Sequence, residues 1–246
     1  MKEWIFLSTH FDDVVLSAGG MVWELVKRGE HVEIWTICAG APPRDKPLSD
    51  FAQMLHIFWK LEGVDAPHAR SIEDAACSRV LGAAFRRYTM PDCIYRYYPC
   101  TDEAVVRVSD DIESPLEPGE SYLIPQVTDF LQKNMPEESE LVIPLAIGQH
   151  RDHVLTRRAA ECLGISLWHY IDYPYVLQEQ LDLADWIPSQ AGRFSLEVSP
   201  DGIKAWQDGI ACHQSQLAYF WTDLVEMRIA IEAYSASGGG GTLYKF

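Results

Sequence analysis

The chain has 246 residues, 48% of them apolar and 23% charged, and a formal net charge of −16. That length and apolar share suit one large globular domain and exclude wholesale disorder. The acidic balance, with no basic run, excludes a general nucleic-acid binder and gives no attraction to anionic surfaces, so any anion site must be built locally.

In chain order, "WIFLST" (4–9) is a continuous apolar run of the kind that forms a buried parallel strand. "VLSAGGMVWELVKRG" then places apolar residues at helical spacing, with Gly29 as a stop, and "HVEIWTIC" (31–38) is a second strand. Strand, helix and strand in succession make a βαβ unit and predict a parallel sheet. A Pro-rich loop (39–50) precedes helices at 51–61 and 71–83, the second with Ser71 as its N-cap. A short strand is expected at 85–90. Residues 101–120, acidic and containing "SPLEPGE", read as a surface excursion and part of a lid. A helix (122–135), an apolar strand "ELVIPLAI" (140–147) and a loop entering a helix (148–164) follow. "SLWHYID" and "RFSLEV" are later strands. "SPDGIKAWQDGIACHQSQLAYF" and "TDLVEMRIAIEAYS" are C-terminal helices, and "GGGG" (238–241) is a flexible turn.

The expected fold is therefore a doubly wound, Rossmann-like α/β sheet, mostly parallel, with helices on both faces. Residues 1–246 read as one domain, with a core at 1–170 and a C-terminal extension of helices and short strands at 171–246. Six cysteines occur without a CxxC pair, which reads as reduced core thiols in a reducing compartment and argues against a zinc knuckle. The N-terminal apolar run is too short for a signal peptide, and no stretch reaches the roughly 18 apolar residues of a membrane span. Cytoplasm is the expected location.

Two clusters carry chemistry. His10, Asp12 and Asp13 follow the first strand, and His150, Asp152 and His153 follow "ELVIPLAI". Ligands of open parallel sheets bind beyond the carboxyl ends of the strands, where both clusters sit. A catalytic zinc takes three protein ligands and leaves one position open, and imidazole with carboxylate suits zinc or iron. The six groups exceed what one ion needs, so the surplus can serve as base, electrophile and orienting partners. Taken singly, "HFDD" also reads as a helix N-cap and "HRDH" as a solvated loop. Their joint occurrence after two apolar strands favours the metal reading.

"STHFDDVVLSAGG" resembles the His-Pro-Asp-Asp-Glu signature of the PIG-L/LmbE-like family of zinc-dependent de-N-acetylases, and "HRDHVLTRRAA" resembles its His-x-Asp-His signature. "HARSIEDAACSRVLGAAFRRYTMPDCIYR" and "KAWQDGIACHQSQ" resemble weaker motifs of the same family, so the likeness spans most of the chain. The resemblance implies zinc, with Fe2+ or another divalent transition metal as the alternative, held by His10, Asp13 and His153. It implies Asp12 as general base, and a protonated His150 as general acid or oxyanion stabiliser. Asp152 then hydrogen-bonds and orients a histidine.

Two positions depart from the signature: Phe11 and Val14 replace Pro and Glu. A third, Gly148, stands where some members carry a tyrosine that helps hold the oxyanion. Arg70 corresponds to an arginine that faces substrate in the family, and Asp92 is a candidate contact for sugar hydroxyls. Arg70 has a surface or capping role as its alternative. Lys204, His213, His31, His56, His68 and His169 read as structural, and the tyrosines of "YRYYP" and "DYPYV" as core or rim packing.

The expected activity is hydrolysis of an N-acyl amide, N-acetyl in the first instance, on a small amino sugar or glycoconjugate. A catalytically inactive sugar-binding member is the alternative, and a phosphoesterase is a third reading that lacks bridging carboxylates. No nucleic-acid partner and no membrane span is expected, and a homo-oligomer stays open.

Overall fold

The computed structural model describes residues 2–62, 65–116, 119–178 and 181–246. Seven strands are described: β1 (Glu3–Ser8), β2 (His31–Thr36), β3 (Ala84–Arg87), β4 (Ser139–Pro144), β5 (Trp168–Tyr170), β6 (Gly192–Ser195) and β7 (Thr242–Lys245). They form one sheet in the order β3-β2-β1-β4-β5-β7-β6. The first five are parallel, and β7 pairs antiparallel with both β5 and β6. The doubly wound α/β expectation is borne out.

Eight helices are described: α1 (Asp13–Lys27), α2 (Asp50–Phe58), α3 (Ala66–Leu81), α4 (Leu123–Asn134), α5 (Arg151–Glu161), α6 (Pro200–Ile210), α7 (Gln214–Phe220) and α8 (Leu224–Ala236). Successive side chains of a strand point to opposite faces. Trp4 and Phe6 of β1 accordingly join a core with residues of α1, α6 and α8, while Ile5 and Leu7 join another with residues of α4 and α5. A strand buried on both faces has no polar side, which is why β1 reads as an unbroken apolar run.

The sheet order turns at β1, which has β2 on one side and β4 on the other. Chains leaving β1 and β4 diverge there to opposite faces and open a crevice, the usual ligand position of such sheets. The two signature clusters leave these two neighbouring strands.

Local chemistry accounts for the departures from expectation. α3 starts at Ala66, with Asp65 capping through the amide of His68, because Pro67 is tolerated in a first turn. Ser71 lies inside the helix and donates to the His68 carbonyl at 2.7 Å. The long C-terminal helix divides at 211–213 into α6 and α7. β7 was not expected, since four residues after a glycine run carry no readable period. Glu117 and Pro118 of the expected excursion lie outside the described residues. Cys38, Cys77 and Cys93 are buried thiols, but Cys100 and Cys162 are exposed.

α1 carries a kink at Ala18, with φ −143° and ψ 15°. The indole N–H of Trp206 donates to the Val15 carbonyl at 2.5 Å, satisfying an acceptor near the break. A Cβ on Gly19 would fall 2.5 Å from the Trp206 ring, so glycine there admits α6 against α1.

Candidate active site

β1 ends in a tight bend before α1. Ser8 Oγ donates to the His10 carbonyl at 2.5 Å and accepts from the Val14 amide at 3.2 Å. Asp13 Oδ2 accepts from the His10 amide at 2.6 Å. Asp12 stands at the N-cap of α1, yet its side chain makes no capping bond. The capping explanation of "HFDD" therefore does not hold for Asp12, whose carboxylate faces the crevice instead.

β4 leads to the second cluster. His150 is the N-cap of α5, and its Nδ1 accepts from the Asp152 amide at 3.2 Å. The fold brings His10, His150 and His153 together, with ring centroids 4.8, 5.5 and 5.1 Å apart. One candidate ligand atom each from His10, Asp13 and His153 lies within 4.8 Å of the other two.

These three fit a divalent cation better than the neighbouring set His10, His150 and Asp152. Asp152 is already engaged: Oδ1 is 2.6 Å from Arg96, and Oδ2 accepts from the Cys93 amide at 2.8 Å. His153 Nε2 is buried without a hydrogen-bond partner, 3.3 Å from Asp13 Oδ1. A buried ring nitrogen that faces a carboxylate without a hydrogen bond formed to it is what a ligand position requires. The far nitrogens are both held by carboxylates. Asp152 Oδ2 lies 3.3 Å from His10 Nε2, and Asp172 Oδ1 lies 3.0 Å from His153 Nδ1. Such partners fix the ring orientation and raise the basicity of the metal-facing nitrogen.

Electrostatics agree with a cation position. Burial alone would lower the pKa of His10, but Asp92, Asp13 and Asp152 hold it well above the usual histidine range. Burial is likewise outweighed at His153, which Asp13 and Asp172 raise to about 9. Burial would raise Asp13, but His153 and His10 hold it well below the carboxylate range. Protons on the two imidazoles thus neutralise the carboxylates, a role a metal ion takes over when it displaces them. Asp12 is raised by burial, with Arg70 opposing and Asp13 adding to the shift.

His150 goes the other way. Burial and the neighbouring His10 and His153 push it well below the usual histidine value. Its ring is therefore neutral at pH 7, and because Nδ1 accepts a backbone amide, the proton resides on Nε2. This favours the oxyanion-donor half of the expectation for His150 over a protonated acid.

Arg70 and Asp92 both reach the same cavity, of about 420 Å3. Arg70 lies 3.3 Å from Asp12 Oδ1 and 3.9 Å from Asp92 Oδ2, with its guanidinium 4.8 Å over the Trp59 ring. Asp92 Oδ2 is 3.7 Å from His10 Nε2, and its other oxygen caps the Ile94 amide at 3.2 Å.

A family model described as PIG-L: GlcNAc-PI de-N-acetylase matches residues 5–163. The chain belongs to the PIG-L family. 2'-N-acetylparomamine deacetylase of Niallia circulans is 28% identical over 201 residues, covering 75% of this chain and 71% of that protein. Teicoplanin deacetylase Orf2, solved in a zinc-inhibited form, is 25% identical, with a TM-score of 0.82 over 99% of this chain and 97% of that one. The A40926 pseudoaglycone deacetylase Dbv21 is also 25% identical, with a TM-score of 0.70 over 98% and 95%. This PIG-L chain is an amide hydrolase of the de-N-acetylase type that works with a divalent metal.

The departures from the PIG-L signature now have physical readings. Val14 is 1% exposed and packs in the core with Tyr170, away from the crevice. Phe11 lies under Arg70, its ring 5.7 Å from the guanidinium. Gly148 has φ +86°, and a Cβ there would fall 2.5 Å from the Tyr175 ring. Tyr175 fills the space beside Gly148, lines the cavity and sets its ring 5.9 Å from His153.

Sequence reasoning missed three participants. Asp172 follows β5 at the same sheet edge, so the strand-end rule applied to Asp12 could have found it. Arg96 and Glu120 are buried and paired at 2.7 Å, and Arg96 anchors Asp152; no local pattern marks them. His213 is buried with neither ring nitrogen hydrogen-bonded, and burial with Arg70 lowers it to about 3. Lys204 is a surface residue, ion-paired to Asp208 at 2.5 Å.

Proposed function

We propose that this chain removes the N-acetyl group from an amino sugar or sugar conjugate, with zinc held by His10, Asp13 and His153. The observation that carries the ligand set is the unpartnered His153 Nε2, 3.3 Å from Asp13 Oδ1, with Asp172 behind the ring. Deacetylase relatives acting on a paromamine and on teicoplanin support an amino-sugar amide as the substrate. Two imidazoles and one carboxylate suit zinc and also Fe2+. The ion supplies Lewis acidity, making a water able to lose its proton near neutral pH and polarising the acyl carbonyl.

The chain's own groups do the rest. Asp12, oriented by Arg70 at 3.3 Å, accepts the proton of the attacking water and returns it to the departing amine nitrogen. Its raised pKa makes it a better proton acceptor than an ordinary surface aspartate. His150 aims its Nε2–H at the oxygen that gains charge, and being neutral it donates without repelling the ion. Asp152 keeps the His10 ring in register. Arg70 and Asp92 line the cavity, which supports them as hydrogen-bonding partners of a bound sugar.

The test is metal analysis of purified protein with acetate release from a panel of N-acetyl amino sugars, reconstituted separately with Zn2+ and Fe2+. One equivalent of metal, with release that depends on it, is the expected result. Stoichiometric metal without release from any acylated sugar would overturn the reading.

A further inference from the structure

Behind His10 runs a buried chain of charged side chains, none of which lines the cavity. Asp152 Oδ2 is 3.3 Å from His10 Nε2, and its Oδ1 is 2.6 Å from Arg96 Nη2. Arg96 also faces Glu120, whose Oε1 accepts from Nε at 3.0 Å and from Nη2 at 2.7 Å. Its Nη1 donates to the Pro91 carbonyl at 3.2 Å. Glu120 Oε2 in turn lies 3.2 Å from Arg151 Nη1, which donates to the Val105 carbonyl at 3.3 Å. Asp152, Glu120, Arg151 and Arg96 are 0%, 2%, 2% and 6% exposed, so all four are cut off from water.

Stability alone is a poor reason for such a set, because buried ions lose hydration and apolar replacements are often as stable. The arrangement makes sense as a way to hold one carboxylate. A group that orients a metal-binding imidazole must itself be fixed. The planar guanidinium of Arg96 reaches Asp152 and Glu120 at once, which a lysine ammonium does less well. Glu120 offsets the second arginine. Without its charge, Arg96 and Arg151 would leave an excess positive charge behind a site that takes a cation. We propose that Arg96 and Glu120 are positioning residues of the metal centre: Glu120 holds Arg96, Arg96 holds Asp152, and Asp152 keeps the His10 ring facing the ion. The inference rests on the assignment of His10 as a metal ligand. It gives the acidic segment 101–120 a task at its end, where Glu120 reaches the support of that ligand.

The experiment reads Zn2+ affinity rather than turnover, by competition with a chelating dye at a temperature well below the melting point of each metal-free variant. Glu120→Gln keeps the shape and removes the charge, and should weaken binding about 10- to 100-fold. Glu120→Asp keeps the charge and should recover most of that loss. Asp152→Asn should weaken binding by a similar factor. Adding Glu120→Gln to it should cost no further affinity, because Glu120 acts through Asp152. Factors that multiply in the double variant would overturn the inference, as would wild-type affinity in Glu120→Gln.

Should Glu120→Gln not fold, Arg96→Lys serves the same purpose, since it keeps the charge and loses the planar fork. It should weaken Zn2+ binding at least about tenfold, and only while Asp152 is present. Failure of both variants to fold would assign the network to folding and overturn the inference. His10→Ala separates the inference from the reading it rests on. If His10→Ala keeps wild-type affinity, the ligand assignment fails and the inference falls with it. If His10→Ala loses the metal while Glu120→Gln binds it like the wild type, the ligand assignment stands and this inference alone is overturned.

Discussion

Asp172 Oδ1 lies 3.0 Å from His153 Nδ1, on the opposite side of the ring from Asp13, whose Oδ1 is 3.3 Å from Nε2. The imidazole is thus held from behind by one carboxylate and faces another across the position assigned to the ion. Asp172 also accepts the Ile147 amide at 3.1 Å, so the chain after β4 and the chain after β5 meet at this carboxylate. Asp172→Asn keeps the shape and removes the charge. Metal affinity should fall about 10- to 100-fold, read by competition with a chelating dye. Unchanged affinity would mean that the contact only packs the ring.

Asp12 is separable from metal binding. It makes no helix cap and contacts Arg70. Asp12→Asn should lower kcat by roughly 100- to 10,000-fold, the range for loss of a positioned general base, while one equivalent of metal is retained. Near-normal turnover in that variant would remove Asp12 from the base role.

Gly148 tests the placement of Tyr175. Gly148→Ala puts a side chain at φ +86° and a Cβ 2.5 Å from the Tyr175 ring. The backbone conformation alone costs on the order of 1 kcal/mol, and the ring must move as well. Stability should drop and kcat/KM should fall. In the background of Tyr175→Ala much of the added stability loss should vanish, which a double-mutant cycle by denaturant unfolding measures. Additive effects would mean that Tyr175 does not fill the Gly148 space.

His169 should set an acid limb of stability. Its ring is 1% exposed, stacks on Phe246 at 4.2 Å and lies with Nδ1 3.2 Å from the Tyr244 carbonyl of β7. Burial, with Arg157 adding, lowers its pKa to about 4. The unfolded chain, with an ordinary histidine value near 6.5, binds the proton more readily than the folded one. Stability is therefore whole above about pH 6.5 and falls as pH drops toward 4, by up to about 3 kcal/mol. His169→Gln should flatten the pH dependence of the unfolding free energy across that window. An equally steep dependence in the variant would assign the limb to other groups.

How far the sequence reaches is visible in particular residues. β1 and β4 are unbroken apolar runs because both their faces are covered, and that pattern is local. His10, Asp12, Asp13, His150, Asp152 and His153 are short-range motifs at the ends of those runs, so they too were legible. Ser71 reads as a cap because serine suits that position, but Asp65 and Pro67 start the helix upstream of it. Arg96 and Glu120 carry no local signal of the contacts they make, since each acts through a partner distant in the chain, whereas Asp172 stands at a strand end and was open to the same rule as Asp12.

The sequence alone determined the class of sheet, the two chemical clusters and the edge on which they sit, because periodicity and strand-end position are properties of neighbouring residues. Only the tertiary structure decided that β1 and β4 are adjacent, with Phe6 in register with Val142, and so that the clusters share one crevice. It also decided which oxygens are engaged. Asp152 is taken by Arg96 and Cys93, Asp172 holds His153, and Tyr175 occupies the room beside Gly148. Those choices depend on contacts between distant segments, which burial and hydrogen-bond satisfaction select only once the chain has folded.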